Sequence, residues 1–175
     1  ASVDCSTGAF TAPILPDGHH TFAVVAVDRA GNASGATSYA WSIDTVSPIV
    51  TFNERPPLLT NQTTATFGFT SNKPASTFEC SLDGAAFNTC PSPKVYTDLR
   101  NGSHTVAVRA VWLALVGPPA QYSWKVDLVP PQTTIRSGPP AESTGAGATF
   151  TFAGSEAATF TCRLDGGGPA PCTSP

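Results

Sequence analysis

Apolar and polar residues alternate along most of this chain, and the alternating runs return at a nearly fixed interval. From His104 to Ala110 the alternation puts Val106, Val108 and Ala110 on one face, and an earlier run does the same with Phe22, Val24 and Ala26. Tyr122, Trp124 and Val126 alternate likewise, as do Tyr39, Trp41 and Ile43. The runs Thr66 to Phe69 and Thr149 to Phe152 each read as a half-buried strand with a pair of Phe turned inward. A period of two, carried by β-branched and aromatic residues, predicts strands and not helices. Turn signals separate the runs: Pro56-Pro57, Asp83-Gly84, Asn101-Gly102, Gly117-Pro118-Pro119 and Pro130-Pro131. With 17 Pro and 15 Gly spread along 175 residues, no long helix is expected to survive.

One interval separates Trp41 from Trp124, Tyr39 from Tyr122, Asp44 from Asp127, Pro48 from Pro131 and Phe67 from Phe150. A period of about 83 residues is too long for a solenoid unit and suits a small self-contained domain. The expected organisation is the back half of one module in residues 1–47, a complete module in 48–128 and the front half of a third in 129–175. About seven short strands in such a span predict an all-β fold of tandem β-sandwiches of immunoglobulin type. Its core would hold Phe67, Phe69, Phe78, Val106, Val108, Tyr122 and Trp124.

The five cysteines follow the repeat. Cys80 and Cys90 are ten residues apart, as are Cys162 and Cys172, and each pair brackets a Leu-Asp-Gly turn. That spacing suits a disulfide across two strands of one hairpin, a useful staple for a small core. Zinc is the competing chemistry, but no Cys-x2-Cys or nearby His spacing supports it. Cys5 precedes Gly18 at nearly the distance at which Cys90 precedes Gly102, so its partner is expected to precede residue 1. Disulfides imply an oxidising, extracellular or cell-surface compartment. The chain contains no Met, even at position 1, and is expected to be a processed or excised piece.

Charge narrows the function classes. Charged residues make up 12% of the chain and the net charge is -3, so it carries no basic footprint for nucleic acid. No apolar run approaches the roughly 18 residues of a membrane span. Nor is there a Gly-x-Ser-x-Gly elbow or a convergent Ser/His/Asp set, and no catalytic residue is expected. The recurring Asp83 and Asp165 belong to hairpin turns and not to an acid/base pair. His20 and His104 occupy matching repeat positions, which favours a role in the fold. Three N-glycosylation sequons begin at Asn32, Asn61 and Asn101, all in expected turns or polar loops.

The strings Phe78 to Pro93, Tyr96 to Ala110 and Tyr122 to Pro131 together resemble the tandem Ig-like repeats of large secreted and cell-surface proteins. These are best known from bacterial surface proteins with Big-type domains. The resemblance spans essentially the whole chain and implies a structural or adhesive module without catalytic residues. The first copy carries Val27-Asp-Arg-Ala-Gly-Asn32, the loop such repeats usually place between their last two strands. In the second copy the apolar stretch Trp112, Leu113, Ala114, Leu115, Val116 replaces it. Such an apolar tip either folds back on its own or an adjoining module or contacts another chain, with Trp112 and Leu115 as anchors.

Asp28, Asn32, Asp44 and Asp127 are weak candidates for Ca2+, because each module junction offers a single carboxylate. Asp28 and Asn32 more simply stabilise their own turn. No cofactor is otherwise expected. The expected role is a spacer and adhesion module whose partners are neighbouring Ig-like modules, or a surface glycan or protein. One alternative is a filament subunit, in which copies assemble through the incomplete modules and the Trp112 to Val116 tip. Another is an accessory module of a secreted carbohydrate-active enzyme, although Trp41 and Trp124 alternate inward and form no sugar platform.

Overall fold

The computed structural model describes residues 8–174, and all of its regular elements are strands. Cys5 lies outside the described residues. No helix among them is long and apolar enough to cross a membrane.

The first two strands, β1 (Gly18–Val24) and β2 (Thr37–Ile43), form an antiparallel ribbon with Gly18 opposite Ile43. Nine strands then build a central body: β3 (Val50–Glu54), β4 (Leu59–Thr60), β5 (Ala65–Ser71), β6 (Thr77–Leu82), β7 (Asn88–Cys90), β8 (Lys94–Tyr96), β9 (Gly102–Trp112), β10 (Leu115–Val116) and β11 (Ala120–Val126). The chain ends in two further ribbons. One pairs β12 (Thr133–Ser137) with β13 (Thr151–Gly154), the other β14 (Phe160–Cys162) with β15 (Ala170–Cys172).

The central body is two sheets laid face to face. One runs β4-β11-β9-β6-β7 with β10 added to β9, and the other runs β3-β5-β8. Their inner faces meet through aromatic rings. Phe67 on β5 lies 5.1 Å from Trp124 on β11, and Phe69 lies 4.9 Å from Phe78 on β6. Along β9, Val106, Val108 and Ala110 are wholly buried while the residues between them are partly exposed, as the alternation predicts. Phe67, Phe69 and Trp124 belong to the same core, with Val50, Leu99 and Val126 among others, and Phe78 and Tyr122 pack against it half-buried. Burying a ring of this size stabilises the body by about 1.5–3 kcal/mol.

Two disulfides staple hairpins. Cys80–Cys90 links β6 to β7, and Cys162–Cys172 links β14 to β15, each across ten residues of sequence. The β6–β7 turn is closed by Ala85 donating to the Leu82 carbonyl at 3.0 Å. Asp83 and Gly84 both have positive φ there (52° and 78°), the geometry that makes Asp-Gly a hairpin former. Asp165 and Gly166 take the same geometry (49° and 75°).

The stretch Trp112 to Val116 is not an irregular loop. The β9 strand runs through Trp112, turns at Leu113 and Ala114, and returns as β10, with Leu115 opposite Trp112 and Val116 opposite Val111. Leu113 and Ala114 both have positive φ (46° and 69°), which a two-residue hairpin turn requires. Side chains with a Cβ pay about 1–2 kcal/mol each in that region, so cross-strand pairing must hold the turn.

Candidate functional site

The β9–β10 hairpin tip lies against the segment that leads into β3. Gly117, just after β10, donates to the Ala110 carbonyl at 2.9 Å and is buried against the backbone carbonyl of Pro48. A side chain at 117 would overlap that carbonyl, so the close approach requires glycine. Lys73, in the turn after β5, places its ammonium 4.9 Å from the centre of the Trp112 ring. The same ammonium pairs with the Asp44 carboxylate, just after β2. Trp112, Lys73 and Asp44 thus join the hairpin tip to the segment between β2 and β3. The Lys73 hydrogen bond, then the Val46 amide, holds the Asp44 carboxyl below its usual range. Leu113 at the apex remains 79% exposed and Val116 is exposed, while Trp112 and Leu115 are half-buried.

Both junction segments are pinned by side chains. Asp44 accepts from the Val46 amide at 3.1 Å, and Asp127 accepts from the Val129 amide at 3.2 Å. Ahead of each segment, Asp17 accepts from the Thr45 amide at 3.1 Å and Asn101 accepts from the Leu128 amide at 2.7 Å. Beyond each, the Ile49 amide donates to Asn72 Oδ1 at 2.7 Å and the Gln132 amide donates to Ser155 Oγ at 2.9 Å. Every one of these bonds gives a backbone group of a short connector a side-chain partner in place of water. Asp17, Asn72, Lys73 and Ser155 were missed in the sequence because their bonds join stretches of chain far apart in sequence. The polar residues Asn72 and Ser155, at one offset after the two Asp-x-x-x-Pro segments, were the available signal.

The calcium candidates engage protein partners. Asp28 uses its carboxylate to close its own turn, accepting from the Ala30 amide at 2.9 Å and from the Asn32 amide and Nδ2, both at 2.8 Å. The Asn32 side chain, then the backbone amides, lowers the Asp28 pKa. Asp44 pairs with Lys73, and Asp127 pairs with Lys125 at 2.9 Å, which lowers the Asp127 pKa. Among the described residues, no three His, Cys, Asp or Glu side chains are grouped as metal ligands.

The three sequon asparagines are exposed, and their amides differ. Asn32 commits its Nδ2, the atom a glycan would use, to Asp28. Asn61 and Asn101 use their oxygens instead, accepting from Gln62 and from the Leu128 amide. His104 sits on the buried face of β9, with Nδ1 2.7 Å from Asp83 and Nε2 2.9 Å from the Arg100 carbonyl. It lies 5.4 Å from the Trp124 ring and acts in packing. The cysteines other than Cys5 are held in the two disulfides.

No family model fits the chain, and no curated protein aligns with it.

Proposed function

We propose that this chain is a non-catalytic extracellular spacer and adhesion segment built from tandem Ig-like sandwiches with a period of about 83 residues, the size of a self-contained domain. Residues 48–128 are the complete module, 1–47 the back half of a preceding one and 129–175 the front half of a following one. The observation that carries this reading is the recurrence of specific contacts at a near-constant offset. Phe69 meets Phe78 at 4.9 Å, and Phe152 meets Phe160 at 5.0 Å, edge to face in both cases. The β3–β5 pair shifts register between Phe52 and Glu54, and the β12–β13 pair shifts between Ile135 and Ser137. The Phe69 amide donates to Ser92 Oγ at 2.9 Å, and the Phe152 amide to Ser174 Oγ at 3.1 Å. On the other side of the repeat, His20 lies 5.6 Å from Trp41 as His104 lies 5.4 Å from Trp124.

A spacer needs stiffness between modules, and the pinned connectors supply it. Two hairpin disulfides favour an oxidising compartment. Two measurements test the reading. Residues 48–128 alone should be monomeric and unfold in one cooperative transition; a chain that folds only with its flanks overturns the module boundaries. Mass analysis of secreted material should find Cys80 bridged to Cys90, and free thiols there overturn the compartment.

A further inference from the structure

Strand β11 leaves the central body between two sequons. Its last residue, Val126, lies opposite Thr60 of β4 on one side and Gly102 of β9 on the other. One residue further out stand Asn61 and Asn101, so the two asparagines flank Asp127, where the connector to Pro131 begins. Hydrogen bonds hold both flanks to the connector. The Asp127 amide donates to the Thr60 carbonyl at 2.8 Å, and the Leu128 amide donates to Asn101 Oδ1 at 2.7 Å. Asn61 and Asn101 are exposed, as are Thr63 and Ser103, the hydroxyl residues that complete the two sequons.

The side-chain amides of the two asparagines are engaged alike. A backbone N–H bonds only to an acceptor, so the Leu128 amide fixes the oxygen of Asn101 and leaves its Nδ2 uncommitted. Asn61 also engages its oxygen, which accepts from Gln62 Nε2 at 2.9 Å. Asn32 is arranged the other way. Its Nδ2 donates to Asp28 Oδ2 at 2.8 Å, inside a turn that Asp28 also closes through two backbone amides. A sugar there would crowd the nitrogen that holds the turn. The first connector differs again. Asp17 precedes Gly18 as Asn101 precedes Gly102, and it accepts from the Thr45 amide at 3.1 Å as Asn101 does from Leu128. A carboxylate makes that bond but has no nitrogen to carry a glycan.

We propose that Asn61 and Asn101 both carry N-linked oligosaccharides, one on each side of the 127–131 connector, while Asn32 stays bare. The proposal rests on the extracellular reading above, since a secretory pathway supplies the donor. In each transfer Nδ2 attacks the anomeric carbon of an oligosaccharide carried on a polyprenyl pyrophosphate. The nitrogen–carbon bond forms as the bond from that carbon to the phosphate oxygen breaks. The lipid pyrophosphate leaves with the electron pair, and Nδ2 gives up one proton to a base of the transferase. The amide oxygen takes no part, so a sugar on Asn101 is compatible with its bond from Leu128. An N-linked glycan is bulky and solubilising. Two of them beside Asp127 would wall in a connector whose Leu128 is 42% exposed and Val129 63% exposed. The consequence is resistance to proteases that cut beside large apolar residues.

The test is peptide mapping of the whole chain secreted from eukaryotic cells and treated with peptide N-glycosidase in heavy-oxygen water, which labels each occupied Asn as it is converted to Asp. Label at Asn61 and Asn101 and none at Asn32 is the expected result. An unlabelled Asn61 or Asn101, or label at Asn32, overturns the proposal. Shielding is read from the rate of chymotrypsin cleavage after Leu128. Thr63→Ala with Ser103→Ala removes both sequons and keeps the Asn101 acceptor, so cleavage should quicken several-fold. Wild type stripped of its sugars should be cut equally fast, since the acid formed at 101 can still accept, as Asp17 does. That sample separates lost shielding from any loss of fold in the variant, and stripped wild type cut no faster than intact overturns the shielding. Thiol analysis of the same secreted material separates the two failures. Bare asparagines beside a formed Cys80–Cys90 bridge defeat the glycan sites alone, and free thiols there defeat the extracellular reading.

Discussion

His104 makes stability depend on pH in a direction that can be worked out from its two partners. Its Nδ1 is 2.7 Å from Asp83 Oδ2 and its Nε2 is 2.9 Å from the Arg100 carbonyl oxygen. Both partners accept hydrogen bonds and neither donates at neutral pH, so the two bonds coexist only when both ring nitrogens carry protons. Burial of the ring opposes that charge. The Arg100 carbonyl and the Asp83 carboxylate outweigh it, and the His104 pKa stands above its usual 6.5. A group whose pKa is raised by folding contributes its full stabilisation below the unfolded value. The contribution is lost as pH rises through the folded value. Each unit of elevation corresponds to about 1.4 kcal/mol, and a charged hydrogen bond of this kind contributes about 1.5–3 kcal/mol.

Asp83→Asn is the informative perturbation. Asn tolerates the positive φ of 52° at this position, and its carbonyl can still accept from the Thr105 amide, which now donates to Asp83 Oδ1 at 2.8 Å. What is lost is the charge facing His104. Urea midpoints from about pH 5.5 to about pH 8.5 should fall for the wild type above 6.5 and lie flatter for the variant. The His104 ring resonance should titrate above 6.5 in the wild type and move down in Asp83→Asn. Parallel stability curves, or a wild-type His104 titrating below 6.5, would refute the reasoning.

Other perturbations have equally definite outcomes. Replacing Cys80 and Cys90 by Ala releases a ten-residue loop and should cost about 2.7 kcal/mol, read from the urea midpoint of the central body. Trp124→Ala should cost about 3–5 kcal/mol. Trp124→Phe should cost clearly less, because the buried Trp124 Nε1 has no hydrogen-bond partner to lose; equal losses would contradict that. Gly117→Ala forces the backbone away from Pro48 and should cost about 1–3 kcal/mol, with shifted amide resonances at 46–50. Lys73→Ala uncovers Trp112 and frees Asp44, so iodide should quench Trp112 fluorescence more strongly; unchanged quenching would mean that Lys73 does not cap the ring.

How far the sequence could be read depended on the range of the forces involved. Alternation is local, and it identified the inward face of β9 correctly because Val106, Val108 and Ala110 are a property of one strand. The cysteine spacing and the Asp-Gly turn were equally local. The hairpin at Trp112 to Val116 escaped because its turn residues, Leu113 and Ala114, are not ones that favour positive φ. Only pairing between β9 and β10 makes that turn, and no composition rule records it. The connector bonds from Asp17, Asn72 and Lys73 join residues far apart in sequence, and a single chain read end to end does not reveal them.

The same limit explains the exposed apolar residues of the outer ribbons. Phe22, Val24 and Phe150 follow the same inward pattern as Val106, Val108 and Phe67, so their sequences announce a core. Burial needs two broad sheets as well as a pattern, and among the described residues the central body has them. Elsewhere the pattern is present without that cover, and Val24, Ile135 and Phe150 stand exposed. Local sequence therefore marks which face of each ribbon belongs inward, and the long-range arrangement of sheets decides whether that face is covered.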